Sequence, residues 1–229
     1  MSAEMPPRGH DSGALQILAT EHWSLLATRA LSYQESLGRV NMFLGILSGA
    51  VIALALVAQA DHFGTTFVVV AIFMLTVVLF TGVATVGRLM TLNRDDYRWV
   101  LGMNRIRAAY LEMHPELAPH FVTSPHDDLS GALTTLGLDT SASNRLGSVA
   151  HGLQTLPGML AVIVSADAGA IAALVASGFQ APLIAALGAG LATFLIAEVL
   201  MTIMGRRAVR GSSPGLEAHF PTSPKSPTS

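Results

Sequence analysis

Residues 40–60 read VNMFLGILSGAVIALALVAQA, 21 positions without a charged side chain. At 1.5 Å rise per residue, a helix of that length spans roughly 31 Å, the thickness of a bilayer's hydrocarbon core. Asp61 and His62 interrupt the run, which resumes at residues 63–87 as FGTTFVVVAIFMLTVVLFTGVATVG and stops at Arg88. Two further runs follow. Residues 156–180 are broken only by Asp167, and residues 181–205 only by Glu198, before Arg206 and Arg207 close the stretch. A helix at the surface of a soluble domain needs one apolar stripe; apolar residues on every face for this long require a surround that is itself apolar. The pattern predicts an all-α membrane protein with four transmembrane helices.

The composition agrees. Of 229 residues 51% are hydrophobic and 12% charged, against about 25% charged in soluble domains. With a formal net charge of −2 and no basic stripe interleaved with aromatics, nucleic acid is not an expected partner. There is no cysteine, so disulfides and thiolate metal sites are excluded. Arg outnumbers Lys twelve to one, and Ala and Gly are abundant, which points to a GC-rich bacterial genome. Residues 1–13 are polar and the first long apolar run begins at Val40. The N-terminus therefore does not read as a signal peptide, and span 1 is expected to act as an uncleaved signal-anchor.

Charge placement orients the spans. All thirteen basic residues (Arg8, Arg29, Arg39, Arg88, Arg94, Arg98, Arg105, Arg107, Arg145, Arg206, Arg207, Arg210 and Lys225) fall before span 1, between spans 2 and 3, or after span 4. The short connections around Asp61-His62 and Gly178–Gln180 carry none. The positive-inside rule then puts both termini in the cytoplasm of a multi-pass protein of the cell membrane. Spans 40–60 and 63–90 form one hairpin, and spans 156–180 and 181–205 a second.

The remaining segments follow from local patterns. Residues 1–12 and 211–229 are Pro- and Ser-rich and are expected to be disordered. Leu15, Leu18, His22, Leu25, Leu26 and Arg29 have helical spacing, with Asp11 or Ser12 available as a cap. This cytoplasmic helix is expected to run into span 1, although Ser32–Glu35 has capping-box spacing that could break it. Beyond span 2, Leu89, Leu92, Val100, Leu101, Ile106, Tyr110 and Met113 continue an apolar stripe until Pro115. The reading is one unit over 13–115, a cytoplasmic loop over 116–145 with a short helix near 127–137, and a second unit over 146–210. Ser143 or Asn144 is placed to cap the helix leading into span 3.

Polar residues inside the spans are the candidate site. Asp167 falls near the middle of span 3, where a charged Asp costs about 2.5–3.5 kcal/mol on insertion scales. Counting from the connections sets Ser48, Thr76 and Thr193 at the same depth. A neutral Asp167 bonded to Thr193 and an ion or proton pathway through Asp167 are both open. Glu198 lies roughly 9 Å from Asp167 along the membrane normal, with Thr81 near its level; it is a second step of such a path, or snorkels to Arg206 or Arg207. Gly45, Gly49, Gly169 and Gly188 mark small-residue faces for close helix packing, within one chain or between copies. In the loop, His114, His120, His126 and Asp127 have ligand chemistry, but a six-residue spacing fits no standard metal motif. No P-loop, HExxH, GxSxG or Rossmann fingerprint occurs. An enzyme is the least supported class, and no cofactor is implied.

The first half, Leu15 to Pro115, with its entering helix, the 40–60 and 63–87 runs and a returning helix bearing Arg94, Arg98 and Arg105, resembles SLATT-type small bacterial membrane domains. That resemblance implies a pore-forming effector, usually beside a sensor. The second pair of spans, with Asp167 and Glu198, departs from it, and no sensor is present. The expected function is an oligomeric channel or pore in the lipid bilayer. The alternatives are a non-conducting scaffold that recruits a cytoplasmic protein partner through its helices, and a small proton-coupled transporter. For the last, two like-oriented hairpins leave no inverted repeat.

Overall fold

The computed structural model describes residues 9–137, 155–210 and 217–222. Among the described residues the chain is helical and without strands. Helix α1 covers Gly9–Asp61 and α2 covers Thr65–Met113; a 3-10 turn over Pro115–His120 and a short helix α3, Leu129–Thr135, come next. Helices α4, Leu156–Gly178, and α5, Leu183–Arg210, complete the fold. Four of these helices hold apolar windows long enough to cross a membrane. Their exposed side chains include Ile52, Leu56, Phe73, Phe80, Ile184, Leu187 and Leu195, an apolar surface too extensive for a water-facing helix bundle. This is the build of a multi-pass membrane protein.

Helix α1 does not break at Ser32. In a capping box Glu35 would reach back to the backbone. It instead accepts hydrogen bonds from Arg39 Nε at 2.8 Å and from Arg88 Nε and Nη2 at 2.9 and 3.1 Å, so no free carboxylate remains to stop the helix.

Each pair of long helices is joined by a tight turn. At the first, His62 and Phe63 take positive φ, 47° and 61°. The Asp61 carboxylate accepts from the Phe67 amide at 2.7 Å, satisfying one of the free N–H groups at the start of α2. Gly64 packs closely here: a Cβ would lie 2.8 Å from Asp61 Oδ2 and 3.0 Å from Asp61 O. At the second, Gln180 has φ 58°, the Gln180 amide donates to Ser177 O at 2.9 Å and the Ala181 amide to Ala176 O at 3.1 Å. Those two bonds make a Schellman C-cap, and Pro182 follows it. Thr155 caps α4 through the Gly158 amide at 3.2 Å. Pro157 therefore sits in the first turn, where its missing N–H goes unneeded. Ser143 and Asn144 lie outside the described residues.

Contacts divide the chain into two compact units. Among the described residues, one comprises 9–33, 94–137 and 217–222; the other, 34–93 and 155–210. Residues 94–113 thus group with the start of α1 rather than with the apolar runs they follow in sequence. In the first unit Val100, Leu101, Met103 and Ala132 form a core with Leu25, Tyr97 and Leu136 around it, and Arg29 Nε meets Asp96 Oδ1 at 2.6 Å. In the second unit Phe43, Val78, Val86, Leu89, Leu160, Val164 and Met201 share a core. Gly82 marks its tightest crossing: a Cβ there would lie 2.6 Å from Val164 Cγ2 and 2.9 Å from Phe43 Cε2.

Candidate functional site

Helix α4 buries Leu160, Ala161, Val164, Ser165, Asp167 and Gly169. Two faces are combined in that set. Ser165, Gly169 and Ala173 recur every four residues and meet α5, where Gly190, Phe194 and Glu198 recur in the same way. A Cβ on Gly169 would lie 2.8 Å from Gly190 O, and one on Gly190 3.0 Å from Gly169 O and 3.2 Å from Ala173 Cβ. At the end of this seam Ser165 Oγ, fully buried, donates to Glu198 Oε2 at 3.1 Å.

Asp167 is two residues from Ser165, or roughly 200° around the helix, and so points away from the seam. It follows Leu160 and Val164 at helical spacing, on the face that packs in the core with Phe43 and Val78. The residue is 7% exposed, and neither carboxylate oxygen has a hydrogen-bond partner. The bond to Thr193, one of the two readings left open by the sequence, is absent, because the seam turns Asp167 away from α5. No bond joins Asp167 to Glu198, whose carboxylate takes Ser165 instead.

The other hydroxyls expected at this depth do not gather round the acid. Ser48 and Thr76 are exposed. Thr76 bonds back to Ile72 O at 2.6 Å, Thr81 to Val78 O at 2.9 Å, and Thr85 to Thr81 O at 2.7 Å. A hydroxyl facing apolar surroundings is satisfied most cheaply by the carbonyl one turn behind it. Of the glycines, Gly169 packs as expected, against Gly190. Gly45, Gly49 and Gly188 have nothing within 4 Å of an added Cβ. Ser165 escaped the sequence reading, yet it extends the Gly169/Ala173 spacing by one turn.

The loop histidines do not converge either, and no group of three or more His, Asp or Glu able to hold a metal occurs among the described residues. His114 Nδ1 lies 3.1 Å from Glu116 Oε1, His120 is exposed, and the His126 carbonyl accepts from Asn104 Nδ2 at 2.7 Å. Asn104, fully buried, also accepts from Arg107 Nη1 at 2.6 Å and Thr135 Oγ1 at 3.0 Å.

Asp127, 2% exposed, is engaged elsewhere. It accepts from Arg105 Nε at 2.6 Å and from the backbone amides of His219 and Phe220 at 2.9 and 2.7 Å. Asp128 caps α3 through the Gly131 amide at 2.7 Å, and accepts from the Thr222 amide at 2.8 Å and the Thr222 hydroxyl at 3.0 Å. Residues 217–222, placed by composition in a disordered tail, are therefore held against the loop.

For Asp127, burial is the largest influence and disfavours the charge. The His219 amide, the Arg105 guanidinium and the Phe220 amide together outweigh it and hold the carboxyl below its ordinary 3.8. At Asp128 burial again opposes, and the Gly131 and Thr222 amides, the Thr222 hydroxyl and His126 prevail. Both groups are depressed in the folded state, so their stabilisation is present above 3.8 and is lost as pH falls through the lower folded values. Amide exchange of His219 and Phe220, corrected for intrinsic rates, is expected to show protection that is constant near neutral pH and collapses below that value.

The sequence matches no protein-family model, and neither curated proteins nor solved structures show a significant similarity to it.

Proposed function

We propose that this chain is a channel-type membrane protein that passes protons through the bilayer by way of Asp167, with Glu198 as a second station. The observation that carries the reading is Asp167 itself: an acid buried among apolar helices with both oxygens unpartnered. An unsatisfied carboxyl in such surroundings lowers stability, and an intramembrane ionisable residue is by default a candidate for an ion or proton pathway. A proton fits better than a metal cation. Even a small cation needs several oxygen ligands, whereas the hydroxyls of Thr76, Thr81 and Thr85 are bonded to their own helices.

In this reading the four spans are two like-oriented hairpins with both termini in the cytoplasm of a bacterial cell, as the thirteen-to-none distribution of basic residues supports. Asp167 is buried inside its own chain, so the path runs within each protomer rather than along the axis of a ring. Gly45, Gly49 and Gly188 leave open faces that suit assembly into a homo-oligomer.

The test is flux into proteoliposomes that hold a trapped pH dye, driven by a potassium-diffusion potential. The wild-type protein is expected to acidify the lumen, Asp167→Asn to reduce the rate at least tenfold, and Glu198→Gln to reduce it less. No wild-type flux, or equal flux in Asp167→Asn, overturns the reading.

A second reading has its own observation. Ile17, Trp23, Leu31 and Tyr33 of α1 are exposed large side chains outside the apolar run, as a scaffold that recruits a cytoplasmic protein would present. Zero flux together with a binding partner lost on deleting residues 15–37 would favour it.

A further inference from the structure

The contact between residues 217–222 and the loop has an unusual make-up. The segment is held mainly by its backbone. His219, Phe220 and Thr222 donate their amides to Asp127 and Asp128. The Phe220 carbonyl accepts from the Asp127 amide at 3.2 Å, and the Glu217 carbonyl from Arg105 Nη2 at 2.8 Å. Pro221, which has no amide to donate, stands between the Phe220 and Thr222 donors. Phe220 is the single half-buried side chain; Glu217, Ala218, His219, Pro221 and Thr222 are exposed.

This is recognition of an extended strand through its main chain, with acidic side chains as the receiving groups. Such charge-assisted bonds are individually strong, and little apolar burial backs them. The attachment therefore depends on the local charge. Asp127 and Asp128 face the segment, as does the α2 residue Arg105. Tyr97 of α2 lies within electrostatic reach of Asp128, and His126 lies beside it. On the segment itself, Glu217 and His219 are the ionisable side chains. The balance tolerates two carboxylates because Arg105 and backbone donors answer them.

We propose that the loop bearing Asp127 and Asp128, together with Arg105, is a docking surface for an extended peptide, that its occupant is the chain's own segment Glu217–Thr222, and that this segment is a detachable latch opened by negative charge at Thr222. Thr222 is where such a charge acts most directly. Its hydroxyl is exposed and lies 3.0 Å from Asp128 Oδ1. A carboxylate or phosphate there turns a donor into an anion that repels Asp128 and costs both Thr222 contacts to it. The latch stands independently of the proton-path reading.

The chain has no cysteine, so Val122→Cys with Ala218→Cys supplies the only two labelling sites, both at exposed residues. Pulsed electron spin resonance on nitroxide-labelled, full-length protein in nanodiscs reports their separation. The expected wild-type result is a narrow, short distance distribution. Thr222→Glu is expected to broaden it and to cut the docked fraction at least tenfold, and Asp127→Asn to do the same. Thr222→Gln, similar in size to Glu but uncharged, is expected to keep most of the narrow component. A broad distribution in the wild type overturns the latch. A narrow distribution in Thr222→Glu, or equal broadening by Gln and Glu, overturns its opening by charge. Because Thr222 is exposed, neither substitution threatens folding, and no flux measurement enters the result.

Discussion

Gly190→Leu is expected to force α4 and α5 apart, and Gly188→Leu, two residues away, to leave stability nearly unchanged. At Gly190 even a Cβ meets the Gly169 carbonyl oxygen at 3.0 Å and Ala173 Cβ at 3.2 Å. The first of these is backbone, which cannot swing aside as a long side chain can. Overpacking a filled site typically costs about 1–3 kcal/mol, and a leucine against a helix backbone belongs at the upper end. The loss is not recovered elsewhere. Lipid tails are as apolar as leucine, so helices in a membrane are held by close packing itself. Gly169→Ala should already be costly, since its Cβ would sit 2.8 Å from Gly190 O. Gly188 has nothing within 4 Å, which predicts a change within about 0.5 kcal/mol for a surface site. Thermal unfolding in detergent, with each protein kept monomeric, reads the difference. If Gly188→Leu proved the more damaging, the helix rotation described above would be wrong.

Substitutions at Asp167 and Ser165 are expected to move stability in opposite directions. Asp167→Leu removes a carboxyl that has no partner and supplies apolar contacts in its place. The expected gain is about 2.5–3.5 kcal/mol, the penalty for a central Asp on insertion scales. Ser165→Ala removes the hydroxyl that donates to Glu198 at 3.1 Å and leaves a half-buried carboxylate short of a bond, a loss of about 1–2 kcal/mol. Chemical denaturation in mixed micelles distinguishes the signs. A destabilised Asp167→Leu would mean that the acid is satisfied after all. A variant that is more stable and inactive is the usual mark of a group kept for function at the expense of packing.

The candidate acids were legible because a charge in lipid is conspicuous whatever surrounds it. Their surroundings were not. Counting from Gln180 sets Thr193 and Asp167 the same number of residues from the turn, but depth is only one coordinate. Rotation about the helix axis decides whether two level side chains meet, and here the Ser165–Gly169–Ala173 seam turns Asp167 away from α5. The same rotation made Gly190, not Gly188, the partner of Gly169. The second turn was located at Gly178–Gln180, but its cap geometry was not legible. Gly or Asn is the usual residue at a left-handed cap, and Gln180 fills the position with no such signature.

The four apolar helices belong to the sequence alone. Their lengths and their lack of charge follow from the transfer free energy of each side chain, which adds along the chain and needs no knowledge of neighbours. Tertiary structure decided which faces of those helices meet, that Glu198 has a partner while Asp167 has none, and that residues 217–222 attach to Asp127 and Asp128. The last depends on backbone amides, which nearly every residue carries, so a Ser- and Pro-rich tail offers no local sign of it. Only the fold, by burying Asp127 beside Arg105 and half-burying Asp128 next to it, selects the segment that supplies the remaining donors.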